Sequence, residues 1–158
     1  MSTLHHEHLV RINDPANVTG EWLTRDQLWE GLRHTVLAPR SIDTSIDAAK
    51  VRETAPSRLH REIRRGGATM IDRVDLAHHE SLTIHADHTS MFAGSTLTIR
   101  IEEPAPGMLF VRFTYELCGL EAERSEEEDA ARCLAYQQSD IERVRQARRF
   151  AAGEGTRH

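Results

Sequence analysis

The feature that most constrains the fold is the stretch from Ile46 to Leu117, in which apolar residues recur at every second position. This is the period of β-strands, whose side chains alternate between the two faces of a sheet. Short breaks rich in glycine, proline and polar residues divide the stretch, so the strands form an antiparallel meander. The predicted strands are Ile46–Thr54, Arg58–Arg64, Ala68–Ala77, Leu82–Asp87, Ser95–Glu102 and Met108–Leu117.

One strand and one helix precede the meander. The strand is predicted over His6–Asn13. Thr24 and Gln27 have the spacing of a capping box, so a helix begins directly after Thr24. Pro39 ends this helix, because the residue before a proline avoids helical backbone angles. A short second helix or a turn over 40–45 stays open.

A long helix follows the meander and ends near Phe150. Acidic residues lie where it begins and arginines lie near its end, which is the order that the helix dipole favours. At ~1.5 Å per residue, a helix of about 25 residues is long enough to cross a sheet and cover one of its faces. Its inner face is expected to contain the residues Ala130, Leu134, Ile141 and Val144.

These elements predict an α+β helix-grip fold, in which an antiparallel sheet of six or seven strands curves around a long C-terminal helix. One or two short helices follow the first strand. The length of 158 residues is that of one domain, with an ordered core expected over about 5–150.

Several segments resemble the START/Bet v 1-like (SRPBCC) superfamily and, more narrowly, the acetylaranotin biosynthesis protein L-like family. The resemblance covers roughly residues 5–150. It implies the helix-grip fold and a cavity between the sheet and the C-terminal helix, but it brings no established catalytic residues with it. The segments are Glu7–Asn13, Leu23–Leu32, Arg61-Glu62 ahead of Gly66, and Leu97–Pro104.

The pair Gly66-Gly67 fixes the register of two strands. If these glycines form a two-residue hairpin loop, the strands pair residue by residue outward from it, which places Arg61 opposite Asp72. Both then lie on a mostly apolar face that should point inward, shared with Leu59, Ile63, Met70 and Val74. Removing two charges from water is costly unless they pair well. They therefore either anchor a polar group of a ligand or form a structural ion pair, and both alternatives stay open.

The same alternation selects inward residues on the later strands. Tyr115 lies in an apolar row, where its hydroxyl could orient a ligand or simply hydrogen-bond to the backbone. The candidate ligand-binding residues are Arg61, Asp72, Met70, Ile84, Ile99, Val111, Phe113 and Tyr115.

Charge and composition exclude several classes of partner. The 20 Lys and Arg residues against 25 Asp and Glu residues give a net charge of −5, so a nucleic-acid partner is not expected. No run approaches the ~18 apolar residues of a transmembrane helix, so a membrane partner is not expected. A cytoplasmic location is expected instead. Cys118 and Cys133 are expected to be free thiols.

The ten histidines suggest a metal site, but their spacing argues against one. His85 and His88 would lie on opposite sides of a strand, and the HExxH pattern is absent. No P-loop or GxGxxG motif is present either. Neither a metal nor a cofactor is therefore expected.

These observations favour a protein that binds a small hydrophobic or aromatic molecule. The alternative is a polyketide cyclase/hydratase-like lyase acting in the same cavity, and a third option is association with partner proteins. Catalysis needs a group that titrates near pH 7, and Arg61 would keep Asp72 ionised. Whether the protein is an enzyme, with which catalytic residues, and whether it forms a homodimer stay open.

Overall fold

The computed structural model describes residues 2–16, 22–86, 94–120 and 124–153. Within these ranges every predicted strand is present, with ends that differ by a few residues from the prediction, and position 87 lies outside the described residues. The short segment after the first helix is a 3-10 turn, Pro39–Ser41. The strands and helices are β1 (Ser2–Arg11), α1 (Arg25–Leu37), β2 (Ala48–Ala55), β3 (Arg58–Arg65), β4 (Ala68–Ala77), β5 (Ser81–Ala86), β6 (Gly94–Glu102), β7 (Phe110–Leu120) and α2 (Glu126–Ala151).

The strands form one antiparallel sheet in the order β1-β7-β6-β5-β4-β3-β2. Strands β2 to β7 form the predicted meander, and β1 adds to its far side by pairing with β7. The Gly66-Gly67 hairpin gives the predicted register, with Arg61 opposite Asp72 and Ile63 opposite Met70. The fold is the predicted helix grip, with one open antiparallel sheet, one short helix after β1 and a long C-terminal helix.

Helix α1 begins with the predicted capping box. The Thr24 hydroxyl accepts a hydrogen bond from the Gln27 backbone N–H at 3.1 Å, and the Gln27 side chain accepts one from the Thr24 N–H at 2.9 Å. The two bonds satisfy backbone donors that a helix otherwise leaves free at its start. The buried face of α1 contains Leu28, Trp29, Leu32 and Val36.

Gly31 sets how closely α1 approaches α2. A Cβ atom built on Gly31 would lie 2.5 Å from the carbonyl oxygen of Ala147, so only glycine fits here without moving one helix. Close packing at this point fixes which side of α2 faces inward.

The inward face of α2 differs from the prediction. Leu134 and Ile141 are 56% and 49% exposed, and Ala130 is exposed as well, so the predicted inner face was wrong at these three positions and right at Val144. The prediction failed because it ranked helix faces by hydrophobicity, whereas the buried face includes charged residues. The buried residues of α2 are Asp140, Arg143, Val144 and Ala147.

The space between the sheet and the helices has a packed part and an open part. In the packed part, Trp29 of α1, Leu82 of β5 and Phe113 of β7 are buried with other apolar residues in a single core. The open part lies further along the same strands, near the Gly66-Gly67 hairpin. No helix in the described part of the chain is long and apolar enough to cross a membrane.

Candidate ligand-binding site

A cavity of about 630 Å³ lies between the sheet, α2 and the turn that follows α1. This volume is in the range of sites for small organic molecules. Apolar side chains form much of its wall, and three arginines, two aspartates and two tyrosines reach the same space. The lining residues include Ile46, Arg61, Ile63, Met70, Asp72, Ile84, Leu97, Tyr115, Leu117, Tyr136 and Arg143.

Five of the eight candidate residues line this cavity: Arg61, Met70, Asp72, Ile84 and Tyr115. The other three, Ile99, Val111 and Phe113, point to the same face of the sheet but are buried in the packed core. They lie beyond the cavity because the core residues of α1 fill the space above that part of the strands. The strand pattern identified the correct face but not how far along each strand the cavity extends.

Arg61 and Asp72 form a bidentate ion pair in the cavity wall. Arg61 Nε donates to Asp72 Oδ1 and Arg61 Nη2 donates to Asp72 Oδ2, both at 2.7 Å. Arg61 Nη1 donates to the carbonyl oxygen of Val36 at 3.0 Å, in the last turn of α1. The pair therefore ties β3 and β4 to a helix end where a cation is favoured.

Arg143 of α2 reaches the same cavity, and its position was not predicted. It is 7% exposed, and its Nη1 donates to the Thr35 hydroxyl at 3.0 Å. Its Nε is buried without an acceptor, and no carboxylate of the described residues lies within 4.0 Å of the guanidinium. Arg143 is therefore a buried cation without a direct ion pair, and Asp140 and Asp72 act on it only from beyond 4.0 Å.

A chain of hydrogen bonds joins the cavity to β1. The Tyr115 hydroxyl donates to Asp140 Oδ1, and Asp140 Oδ2 lies 3.0 Å from His8 Nδ1. Asp140 is fully buried, whereas the His8 side chain is 22% exposed. The chain thus runs from the cavity wall, through a buried carboxyl group, to a partly exposed imidazole.

Two tyrosine rings stack where this chain meets the cavity. The rings of Tyr115 and Tyr136 have centroids 4.1 Å apart and are nearly parallel, at 6°. The centroid of the His6 ring lies 6.2 Å from that of Tyr115 and 6.3 Å from that of Tyr136. The Nε2 atom of His6 is buried and has no hydrogen-bond partner among the described residues. The stack presents an aromatic surface to the cavity.

Burial shifts the pKa values of the groups around Asp140. It raises the pKa of the Asp140 carboxyl above its usual range, although hydrogen bonds with Tyr115 and His8 oppose the shift. Burial, together with the Asp140 charge, also raises the pKa of Tyr115 well above its usual range. Burial lowers the pKa of Arg143 to about 10, with a smaller contribution from Arg61, although Tyr115, Asp140 and Asp72 oppose the shift. Arg143 therefore stays a cation at neutral pH.

The residues that the prediction missed share one signal in the sequence. Tyr136, Asp140, Arg143 and Ala147 are spaced at four, three and four residues, which places them along one helix face. A polar stripe at helical spacing normally marks a solvated surface, so it gives no reason to turn this face inward. Only the position of α2 over the sheet reveals the site.

Most of the described histidines are not clustered with one another. His85 Nε2 pairs with Asp75 at 3.2 Å, and His79 Nε2 pairs with Asp26 at 2.8 Å; His88 lies outside the described residues. Within ranges 2–16, 22–86, 94–120 and 124–153, no group of three or more His, Cys, Asp and Glu side chains could hold a metal ion.

Several solved structures share this fold. The Zhui aromatase/cyclase from Streptomyces sp. R1128 superposes with a TM-score of 0.68 at 14% identity, covering 96% of this chain and 94% of that one. The di-domain ARO/CYC StfQ from the steffimycin biosynthetic pathway gives 0.71 at 11%, covering 97% and 52%. Ara h 8.0201 gives 0.65 at 8%, covering 96% and 99%. At these identities the likeness shows the fold alone.

Sequence comparison gives a narrower result. No curated protein matches the chain significantly. The profile of the family described as acetylaranotin biosynthesis cluster protein L matches residues 10–154, which is nearly the whole chain and includes every residue of the cavity wall named above. The chain therefore belongs to the acetylaranotin biosynthesis cluster protein L family.

Proposed function

We propose that the cavity binds a small aromatic molecule carrying one acidic oxygen group, and that Arg143 anchors this group. The observation that carries the proposal is the burial of the Arg143 guanidinium without a carboxylate partner among the described residues. An unpaired buried charge is strongly unfavourable. A carboxylate, phenolate or enolate of a ligand would supply the missing partner.

The other walls favour an aromatic body for this ligand. The Tyr115–Tyr136 stack offers an aromatic face, and Ile63, Met70 and Ile84 offer apolar contacts. Aromatic rings pack favourably against such surfaces when they leave water. The likeness of the fold to the two aromatase/cyclases named above supports a ligand of this class.

Arg61 and Asp72 are assigned a supporting role in this proposal. All three nitrogens of Arg61 already donate hydrogen bonds to Asp72 or to the Val36 carbonyl. Its charge is neutralised by Asp72, so a ligand anion would gain less here than at Arg143. The pair braces the cavity wall, and Arg143 holds the ligand.

Two fluorescent dyes test the anchor. One is 8-anilinonaphthalene-1-sulfonate, which carries an anionic group, and the other is N-phenyl-1-naphthylamine, which has the same ring system without it. Arg143→Met should weaken binding of the sulfonate dye about tenfold to a hundredfold, the value of a charge-assisted hydrogen bond. Binding of the neutral dye should change little.

The matched control removes the other arginine together with its partner. The double variant Arg61→Met, Asp72→Leu should keep the preference for the sulfonate dye, provided that urea unfolding shows it to be folded. If Arg143→Met binds both dyes as the unaltered protein does, the anchor is wrong. If only the double variant loses the sulfonate dye, the anchor is Arg61.

A second candidate function is acid–base catalysis in the same cavity, as in a polyketide cyclase/hydratase-like lyase. The chain of Tyr115, Asp140 and His8 favours it, because Tyr115 lines the cavity and His8 is partly exposed. A proton taken from a substrate by the Tyr115 oxygen would be matched by transfer of the phenolic proton to Asp140. His8 would then stabilise or exchange that proton.

Deuterium exchange tests this candidate without knowledge of the substrate. Phenylacetone in D₂O reports proton removal next to its carbonyl group by NMR. Exchange above the buffer rate should fall about a hundredfold or more in Tyr115→Phe, the usual contribution of a positioned acid or base. Exchange no faster than buffer in the unaltered protein would leave dye binding as the supported function.

A further inference from the structure

The proposed anion anchor lies next to a buried carboxyl group. Arg143 and Asp140 are three residues apart on α2, and both are buried on the inward face of the helix. Each acts on the other through its charge from beyond 4.0 Å. Tyr115 joins the carboxyl group to the cavity, because it lines the cavity and its hydroxyl donates to Asp140. A negative charge that binds at Arg143 is therefore felt at Asp140.

His8 gives this buried carboxyl group a route to water. The Asp140 side chain is 0% exposed, but its Oδ2 lies 3.0 Å from His8 Nδ1, and the His8 side chain is 22% exposed. Imidazole groups take up and release protons near neutral pH, and burial raises the pKa of the Asp140 carboxyl. The Asp140–His8 pair can therefore take up a proton from solvent and share it across one hydrogen bond.

The charges of this cluster do not balance when an anion binds. Before binding, the cation of Arg143 and the ionised carboxyl of Asp140 offset each other. A bound anion adds a second negative charge, and the neighbouring charges of Arg61 and Asp72 already neutralise each other. A buried excess of charge is costly, so binding favours the protonated form of the nearest group that can titrate.

The other titratable groups that face Asp140 are poorer places for this proton. Burial raises the pKa values of Tyr115 and Tyr136, so both are already protonated at neutral pH. His6 lies beside the two tyrosines, but a proton on its buried Nε2 would have no acceptor among the described residues. A proton on the Asp140–His8 pair is held between two atoms that already form a hydrogen bond.

We propose that an anionic ligand enters the main cavity together with a proton, which the Asp140–His8 pair takes up from solvent. This inference rests on the function proposed above and adds to it the control of affinity by pH. The bound state holds the proton more tightly than the free state, so the affinity for an anion falls as the pH rises. For uptake of one proton, the fall is about tenfold per pH unit. The affinity for a neutral ligand stays constant.

Calorimetry with the sulfonate dye named above tests the proton uptake directly. The sulfonate stays ionised, so any proton that is taken up goes to the protein. Binding heats at pH 7 in phosphate and in Tris differ by the number of protons taken up times the difference in buffer ionisation heat. We expect about half a proton or more per dye molecule. Fluorescence titrations between about pH 6 and pH 8 should show weaker binding of the sulfonate dye at higher pH and constant binding of N-phenyl-1-naphthylamine.

Variants locate the proton. Asp140→Asn and His8→Gln should each reduce the uptake to near zero. Asp140→Asn should also bind the sulfonate dye more tightly at pH 8 than the unaltered protein does, because it lacks the opposing charge. His5→Gln is the matched control, since it removes an imidazole of the same strand whose side chain is 58% exposed, and it should keep the uptake.

The outcomes separate this inference from the anchor on which it rests. If the sulfonate dye binds through Arg143 without taking up a proton, the inference is wrong and the anchor stands. Uptake that survives in both Asp140→Asn and His8→Gln would also overturn the inference. A sulfonate dye that binds equally well to Arg143→Met would overturn both.

Discussion

The two parts of the space between sheet and helices are built from the same strands, but only the open part adds buried charges to its apolar side chains. In the packed part, β7 contributes Val111 and Phe113, and α2 contributes Val144 and Ala147. In the open part, the same two elements contribute Tyr115 and Arg143, and Asp140 lies buried behind Tyr115.

The difference shows that separate parts of this space serve stability and ligand binding. The packed part removes apolar surface from water and stabilises the fold at about 25 cal/mol per Å². The open part buries charges, which cost free energy unless they are paired or bind a ligand. A stable core next to a wall with buried charges is the arrangement expected where function opposes stability.

The largest effect is expected in the packed part. Phe113→Ala should lower the free energy of unfolding by about 3–5 kcal/mol, because it leaves a cavity among fully buried neighbours. Urea unfolding followed by circular dichroism measures the loss. Met70→Ala is the matched control from the open part, where Met70 is only half-buried and should cost less. Equal losses at both positions would remove the distinction between the two parts.

The next effect concerns the Arg61–Asp72 pair. Asp72→Leu should cost about 3 kcal/mol, since it leaves Arg61 buried without its partner. The double variant Arg61→Met, Asp72→Leu should recover most of this loss, because an apolar replacement of a buried ion pair is often neutral. Unfolding curves of the three proteins give the coupling energy. A double variant as unstable as the single one would show that the Arg61 bond to Val36 carries the stability.

A pH-dependent effect is expected at Asp140. Burial raises its folded-state pKa, so the stability that it contributes is full below about pH 4 and falls as the pH rises through the folded-state value. Asp140→Asn cannot ionise and avoids this loss. The free energy of unfolding of the variant, relative to the unaltered protein, should therefore rise between pH 4 and pH 7. A difference that stays flat with pH would mean that Tyr115 and His8 fully compensate the burial.

The smallest effect is expected on the outer face of α2. Leu134→Ala and Ile141→Ala should each change the free energy of unfolding by less than about 0.5 kcal/mol, as exposed substitutions usually do. If these residues faced the sheet, as hydrophobicity alone predicted, each would cost about 2–5 kcal/mol. Denaturant unfolding separates the two values clearly. A loss in the higher range would mean that this face of α2 is covered in solution.

The sequence by itself determined the sheet and its register. A strand offers only two faces, so alternation identified the inward residues, and the Gly66-Gly67 loop then fixed Arg61 opposite Asp72. The first residue of α1 could also be predicted from local sequence, because Thr24 and Gln27 form the capping box with each other alone.

The tertiary structure alone decided which residues form the site. A helix can turn many faces inward, and the face of α2 is set by what it meets, including the close approach of Gly31 to Ala147. That contact turns Asp140 and Arg143 inward, with Arg143 in the cavity wall, and leaves Ile141 exposed. Hydrophobicity along the sequence selects a different face, which shares only Val144 with the buried one, because burial of these polar residues depends on hydrogen bonds to β1, β7 and α1. Such partners are distant in the chain, so no local pattern records them.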